Sequence, residues 1–300
     1  MERRWRPRRP VDVPATLAPH RRGPYDPAFQ VDARGRVWRT CRPGGEPVTV
    51  CVAASGGEVT ATAWGPGAAA ALDAVPLWLG SDDEPDGFRP RHPVLAEAFR
   101  RFPGTLIGRT GLAVEALVPA VLEQKVTSIE AYRGWSRLLR AFGEPAPGPA
   151  PGRMRVVPPP DAWARIPSWE YHRAGVGPQR SRTIVTAGRH VARLEEIAGL
   201  ASDEADRRLR AVPGIGVWTS AEIRQRVLGD ADAVSVGDYG LPHVVAYALT
   251  GERRGSDELM MELLEPYRGH RHRACVLLLR AGGTPPRRGP RAPIRDYRAM

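Results

Sequence analysis

The hydrophobic pattern of this chain changes its period at residue 93, and this change limits the folds that the chain can adopt. Residues 36–64 alternate partly between apolar and polar side chains, are rich in β-branched residues and contain Gly-Gly pairs at 44–45 and 56–57. This pattern predicts two or three antiparallel strands joined by turns. Beyond residue 93, apolar residues recur at helical spacing. The sequence therefore predicts an α+β fold, in which a small antiparallel β-rich domain precedes an all-α domain.

The chain is long enough for two domains that each bury a core. An alanine-rich stretch over 65–80 predicts a helix in the first domain, and an acidic stretch over 81–93 predicts an exposed linker. Further helices are expected around 161–166, 178–195, 203–211, 217–228, 240–250, 256–265 and 269–281. The predicted divisions are a disordered Arg/Pro-rich tail over 1–22, an α+β domain over 23–93, a helical domain over 94–284 and a basic C-terminal tail over 285–300.

The positive charge of the chain is concentrated in these two tails. The formal net charge is +11, of which residues 1–22 carry +5 and residues 285–300 carry +4. Such tails can contact phosphates without reading a base sequence, but they can equally be solvated tails without a partner. Charge alone therefore does not establish binding to nucleic acid.

Cysteine usage and hydropathy indicate the compartment and exclude some cofactors. No run of about 18 apolar residues is present, and no apolar stretch follows the N-terminal arginines, so neither a membrane span nor a secretory signal is expected. Cys41, Cys51 and Cys275 are few and scattered, which is typical of a reducing compartment and excludes a four-cysteine zinc or iron–sulfur site built from this chain alone. We expect a cytoplasmic protein without either cofactor.

A Pro-Gly-x-Gly turn stands between two predicted helices, at residues 213–216. Glycine adopts positive φ and has no Cβ, so the amides at the start of the second helix can approach a phosphate oxygen, and the helix dipole favours the negative charge. The alternative is an ordinary structural turn, because glycine also ends helices. If the turn is functional, its most plausible ligand is a DNA phosphate.

A carboxylate follows this hairpin at a fixed distance. Asp238 lies twenty residues beyond Trp218, after an apolar stretch and Gly237, and just before Tyr239 and a new helix. A cap at the helix N-terminus is one role for such a carboxylate, and catalysis is another. The two roles are compatible.

Three segments together resemble a known family. The segments "LVPAVLEQKVTSIEA", "VPGIGVWTS" and "VGDYGLP" resemble the helix-hairpin-helix/Gly-Pro-Asp superfamily of DNA glycosylases, and specifically the AlkA-type 3-methyladenine DNA glycosylase II branch. The resemblance covers about residues 24–284, including the β-rich first domain. It implies a base-excision repair enzyme that acts on double-stranded DNA containing alkylated bases, as a monomer associated with the nucleoid.

The resemblance also implies roles for individual residues. Asp238 is expected to be the catalytic carboxylate, which stabilises positive charge on the deoxyribose as the base leaves. Related enzymes that also cut the strand have a lysine where this chain has Trp218, so the expected product is an intact strand with an abasic site. The remaining assignments are Trp218, Tyr239 and Gln124 for substrate, Gly214, Gly216, Thr219 and Lys125 for DNA, and the backbone carbonyls of Arg210, Val212 and Ile215 for Na⁺ or K⁺.

The expected substrates are purines alkylated at N3 or N7, such as 3-methyladenine and 7-methylguanine. These bases carry a positive charge, which the indole face of Trp218 can attract. The alternative for Trp218 is a core aromatic that locks the hairpin. Tyr239 and Tyr267 are further candidates for aromatic pocket surface.

The chain departs from the family pattern at two positions. Lys125, the only lysine, stands where relatives insert an apolar residue into the gap left by the flipped base, and His270 falls near a pocket tryptophan. Lys125 is either a wedge with a charged tip, a contact to phosphate or an ordinary surface residue. These departures leave open a second hypothesis, a non-catalytic DNA-binding protein that recognises damaged or distorted DNA.

Overall fold

A computed structural model describes residues 1–285 of the chain. It confirms the α+β class, because an antiparallel sheet near the N-terminus is followed by helices. The strands are β1 (Glu2–Trp5), β2 (Phe29–Val31), β3 (Val37–Cys41), β4 (Val48–Ser55), β5 (Glu58–Trp64), β6 (Glu144–Pro145) and β7 (Arg155–Val156). The helices are α1 (Val13–Leu17), α2 (Ala68–Trp78), α3 (Pro93–Arg101), α4 (Ala113–Leu122), α5 (Ser128–Phe142), α6 (Ser168–Arg173), α7 (Pro178–Arg189), α8 (Val191–Glu195), α9 (Ser202–Arg210), α10 (Val217–Val227), α11 (Leu241–Thr250), α12 (Asp257–Leu264) and α13 (Arg271–Arg280).

The N-terminal sheet has five antiparallel strands in the order β1-β5-β4-β3-β2. Residues 36–64 form three of these strands, and the Gly-Gly pair at 56–57 makes the turn between β4 and β5, where Ser55 lies opposite Glu58. Helix α2 packs on the sheet, and the core between them fully buries Val50, Ala61 and Val75. The sheet with α2 is the predicted β-rich unit.

The structure differs from the prediction for residues 1–22, which are ordered rather than disordered. Strand β1 pairs with β5 and forms one edge of the sheet, and the Met1 ammonium donates a hydrogen bond to the Ala63 carbonyl at 2.9 Å. Arg9 forms an ion pair with Asp86, and Asp12 caps α1 by accepting from the Ala15 amide. The expectation of disorder rested on Arg/Pro composition, which does not register backbone pairing with a distant strand. Residues 286–300 of the predicted C-terminal tail lie outside the described residues.

The acidic stretch over 81–93 is also more than an exposed linker. The Asp83 carboxylate accepts hydrogen bonds from the Arg273 guanidinium and from the Ile107 amide, and both charged side chains are almost completely buried. This ion pair anchors the stretch to the start of α13. Burial of a charge is tolerated here because each partner is the counter-ion of the other.

The helices form two cores rather than one. Helix α4 is buried on all sides and lies at the centre of the first core, which α5 and α7–α10 surround. The second core consists of α3 and α11–α13. The α9–α10 hairpin therefore belongs to the first core and α11 to the second, and residues 228–240 cross between them. The domain boundaries themselves stay predictions.

The helix positions agree closely with the sequence pattern, with a few differences. Residues 160–165 form a 3₁₀-helix, and the helix expected over 178–195 is broken at His190 into α7 and α8. Helix α6 was not predicted. In the part of the chain that the structure describes, no helix is both long and apolar enough to span a bilayer.

Candidate active site

The hairpin is a tight turn between α9 and α10 that is fixed to the first helical core. Val212 and Ile215 are buried in that core, while the turn itself is exposed. Gly214 has φ +91°, and a Cβ there would lie 2.0 Å from the Thr183 hydroxyl of α7, which also donates to the Pro213 carbonyl. Glycine is therefore required at 214 by the packing of the protein itself.

Gly216 differs from Gly214 in its surroundings. Its φ is −96°, and a Cβ built on it meets no atom within 4 Å. The protein's own packing therefore does not require glycine there. Gly216 precedes the first turn of α10, whose amides lack partners within the helix. This open surface beside free amides has the geometry that a phosphate needs.

Gln124 connects the loop after α4 to the hairpin. Its amide nitrogen donates to the Gly214 carbonyl at 2.9 Å and to the Thr219 hydroxyl at 2.8 Å. These bonds use both donor hydrogens of the amide. The substrate contact predicted for Gln124 is untested, but its NH₂ group is already committed to the hairpin, so only its oxygen is free for a base.

The two other residues assigned to DNA near Gln124 differ in exposure, because Thr219 is buried and Lys125 is exposed. Thr219 is 3% exposed, and its hydroxyl accepts from Gln124. The DNA contact predicted for Thr219 stays a prediction, and the residue could make it only through its backbone amide. Lys125 is exposed and has φ +53°, the one non-glycine residue with positive φ in residues 1–285. The Thr127–Glu130 capping box holds the other end of the loop at the start of α5. The loop therefore presents Lys125 outward in a backbone conformation that costs energy.

Asp238 lies at the start of α11, where three hydrogen bonds fix its carboxylate. One oxygen accepts from the Gly240 and Leu241 amides at 2.8 Å each, and the other accepts from the Trp218 indole N–H at 3.2 Å. The carboxylate is half-buried, and among the described residues no arginine or lysine forms an ion pair with it. The hydrogen bond from Trp218 also joins the two helical cores.

The aromatic residues predicted around this carboxylate are distributed differently. Trp218 is half-buried beside Asp238, but Tyr239 is 95% exposed and makes a ring contact with His243. Tyr267 is 2% exposed in the second core, where its hydroxyl accepts from the His92 amide, so it supplies no pocket surface.

His270 likewise lies away from Asp238. It packs edge-on against Phe88 and lines a separate groove of about 1360 Å³, which residues between 3 and 11 also line.

Sequence reasoning missed a set of titratable residues on and around the face of α10 that carries Trp218, which we call the polar cluster: Arg22, Glu123, Glu222, Arg226 and His272. Arg22 pairs with Glu123 at 3.1 Å, and Arg226 pairs with Glu222 at 2.8 Å. The Ser235 hydroxyl donates to Glu222 at 2.5 Å. The helical spacing of Trp218 and Glu222, four residues apart on α10, is the signal that could have identified this face.

The environment determines which members of the polar cluster are charged. Burial favours the protonated form of Glu222, but Arg226 and the Ser235 hydroxyl outweigh it and hold the pKa of Glu222 below its usual value. Burial lowers the pKa of His272 to about 4, although nearby Glu222 opposes this. Burial raises the pKa of Glu123, with Arg22 opposing. At neutral pH, therefore, Glu222 is an anion and His272 is a neutral imidazole.

The cation site predicted at the hairpin would consist of backbone carbonyls alone. The Val212 carbonyl already accepts a hydrogen bond from the Ile215 amide at 3.0 Å, which leaves it one lone pair. Carbonyl oxygens are ligands for hard cations, and this fits Na⁺ or K⁺. Within residues 1–285 no group of three or more His, Cys, Asp or Glu side chains could hold a metal ion.

Comparisons of sequence give two kinds of relative. No family model matches the chain. Over 151 residues, 50% of the chain, it is 32% identical to the probable bifunctional transcriptional activator/DNA repair enzyme AlkA of Mycobacterium tuberculosis, and it spans only 30% of the length of that relative. It is 24% identical over 192 residues to the DNA-3-methyladenine glycosylase of Bacillus subtilis, and the match covers 63% of each protein.

Solved structures match over nearly the whole chain. The 3-methyladenine DNA-glycosylase from Archaeoglobus fulgidus superposes with a TM-score of 0.74 at 20% identity, covering 93% of this chain and 98% of that one. MBOgg1 in complex with a low-affinity DNA ligand also gives a TM-score of 0.74, at 15% identity, covering 94% and 95%. These matches confirm the resemblance predicted from the motifs: the chain has the fold of the helix-hairpin-helix DNA glycosylases and is a sequence relative of AlkA and of DNA-3-methyladenine glycosylase.

Proposed function

We propose that this protein is a monofunctional DNA glycosylase that hydrolyses the N-glycosidic bond of alkylated purines, such as 3-methyladenine and 7-methylguanine, in double-stranded DNA. The observation that carries the proposal is the Asp238 carboxylate. Two backbone amides and the Trp218 indole orient it, and no cationic side chain among the described residues neutralises it. Such an anion is available to a cation that forms during the reaction.

The chemistry of bond cleavage requires a group of this kind. As the base leaves, positive charge develops on C1′ and the ring oxygen of the deoxyribose, and a fixed carboxylate stabilises this transition state. The base must first leave the helical stack, at a cost of about a few kcal/mol. We propose that the open amides beside Gly216 hold a backbone phosphate while Asp238 faces the sugar. Because alkylated purines are cationic and leave readily, no strong general acid is required.

The same residues argue against strand cleavage. A lyase needs an amine that forms a Schiff base with the sugar. The position before Thr219 in the hairpin carries the Trp218 indole, which cannot react in this way, and Lys125 is the one lysine of the sequence. We therefore propose that the product is an abasic site in an intact strand.

The remaining expectations belong to the same proposal. The enzyme acts as a cytoplasmic monomer that associates with the nucleoid when it is bound to DNA. A Na⁺ or K⁺ ion held by the carbonyls of Arg210, Val212 and Ile215 would stabilise the hairpin and add positive charge near a phosphate. We propose no zinc or iron–sulfur cofactor.

Chromatography of bases released from methylated duplex DNA tests the proposal. We expect the purified protein to release 3-methyladenine or 7-methylguanine, and Asp238→Asn to abolish release while duplex binding persists. Borohydride should trap no covalent adduct. Equal release by Asp238→Asn would remove Asp238 from the mechanism, and specific binding to abasic DNA without release of any base would instead support a non-catalytic DNA-binding protein.

A further inference from the structure

One face of α10 continues from the hairpin to the polar cluster. Three residues of α10 at four-residue spacing are partly exposed: Trp218, Glu222 and Arg226. Most of the residues between them are buried. Residues at this spacing lie on one face of a helix. The carboxylate of Glu222 therefore lies one helical turn further along α10 than the Trp218 indole, which donates to Asp238.

Two other segments approach Glu222 from the opposite side. Ser235, which bonds Glu222, lies on the segment that leads to Asp238, and its carbonyl accepts from the Asp238 amide at 3.2 Å. The start of α13 joins the same segment, because the Arg273 amide donates to the Ala231 carbonyl at 3.1 Å. His272 is thereby close enough to Glu222 for each to change the pKa of the other.

Hydrogen-bonding capacity remains unused in the polar cluster. The ring nitrogens of His272 have no hydrogen-bond partner in the part of the chain that is described, although the side chain is largely enclosed. One Glu222 oxygen accepts a hydrogen bond from the Ser235 hydroxyl, the other forms the ion pair with Arg226, and a carboxylate oxygen can accept two hydrogen bonds. The polar cluster can therefore accept from an N–H group and also pair with a ring nitrogen or carbonyl.

The charges of the site do not balance. Arg22 offsets Glu123 and Arg226 offsets Glu222, whereas Asp238 forms no such pair within residues 1–285. With His272 neutral, the polar cluster and Asp238 together carry one net negative charge. A ligand that brings one positive charge would complete the balance, and the reduced dielectric of a half-buried site strengthens that attraction relative to water.

We propose that Glu222 is the specificity-determining residue of this site: its carboxylate accepts a hydrogen bond from an N–H group of the flipped base and favours bases with a positive charge. This inference rests on the proposed function and names the side chain that selects the substrate. N-alkylated purines fit it, because alkylation at N3 or N7 makes the ring cationic while the exocyclic amino group remains a donor. A neutral base without a donor on that edge, such as 1,N⁶-ethenoadenine, cannot use the remaining acceptor capacity of Glu222 and gains nothing from its charge.

A comparison of two lesions in the same duplex tests the proposal. Release of 7-methylguanine and of 1,N⁶-ethenoadenine is measured for the wild type and for Glu222→Gln, which keeps the shape and removes the charge. We expect kcat/KM for 7-methylguanine to fall roughly 10- to 100-fold, as for loss of one hydrogen bond to a charged acceptor, and that for ethenoadenine to fall less than about 3-fold. The ratio between the two lesions cancels the intrinsic ease with which each base leaves.

Controls separate this role from a structural one. Glu262→Gln, on the exposed face of α12, removes a carboxylate away from the site and should leave both rates unchanged. An equal loss for both lesions in Glu222→Gln would mean that Glu222 only supports the fold, and no loss would mean that it does not contact the base; either result overturns the proposal.

A measurement on the wild type alone avoids any dependence on the folding of the variant. At mildly acidic pH, cationic 7-methylguanosine should inhibit base release at a concentration at least about 10-fold lower than guanosine does, in keeping with one charge-assisted contact. Equal inhibition by both nucleosides would overturn the proposal. If the wild type released no base from any duplex, the proposed function would fail as well, whereas normal release with an unchanged lesion ratio would refute Glu222 alone.

Discussion

The hydrogen bonds between Gln124 and the hairpin predict how the hairpin and the loop that carries Lys125 depend on each other. Gln124→Met keeps the length of the side chain and removes both donor hydrogens. The Gly214 carbonyl is exposed and can turn to water, but the Thr219 hydroxyl is 3% exposed and loses the donor that it accepts from. An unsatisfied buried polar group costs about 1–3 kcal/mol, and rotation of the hydroxyl offsets part of this, so we expect a loss of about 1–2 kcal/mol.

Two assays follow from this magnitude. The free energy of unfolding in urea should fall by about 1–2 kcal/mol. If the same energy holds Lys125 and the hairpin together on DNA, kcat/KM for a methylated duplex should fall roughly 5- to 30-fold. Gln179→Met, an exposed glutamine at the start of α7, is the matched control and should change neither quantity. The reasoning is wrong if Gln124→Met equals the wild type in both assays, and the functional step is wrong if stability falls while kcat/KM stays constant.

Three further predictions concern stability, the hairpin and pH. Asp83→Asn should lower the free energy of unfolding by about 3–5 kcal/mol because it leaves the Arg273 charge buried without its partner, and adding Arg273→Met should restore much of that; a double variant as unstable as the sum of the single variants would contradict this. Gly214→Ala should destabilise the protein because φ is positive and the Cβ clashes with α7, whereas Gly216→Ala should leave the unfolding midpoint unchanged and weaken duplex binding; similar midpoints for both would refute the distinction. Burial lowers the pKa of His272 to about 4, below the value of about 6.5 in the unfolded chain. The stability that neutral His272 contributes is therefore present above about pH 6.5 and is lost as the pH falls toward 4. In urea titrations, His272→Gln should accordingly lose less stability on acidification than the wild type.

Local patterns predicted the parts of the site that lie close together in sequence. The turn around Gly214 and the carboxylate at Asp238 follow from short motifs, and helical spacing predicted the helices that position them. The resemblance to a family joined these motifs, and the comparisons confirmed that resemblance and the fold. Such patterns are readable because backbone geometry depends on neighbouring residues.

The parts that were missed depend on contacts between distant segments. Arg22 and His272 come from opposite ends of the chain, and only folding brings both beside Glu222. Tyr267 was expected at the pocket because aromatic residues are suited to it, but the second core encloses it. Strand β1 was expected to be disordered because its arginines are solvated, although its backbone finds a partner sixty residues away in β5. Composition carries no information on any of these pairings.

The hydrogen bond from Trp218 to Asp238 crosses from one helical core to the other. The proposed catalytic carboxylate and the hairpin therefore belong to different helical cores, and a local opening between the cores needs less free energy than global unfolding. If base release needs Trp218 and Asp238 in contact, it should cease once the two cores separate. We therefore expect release to stop at urea concentrations below those that unfold the helices.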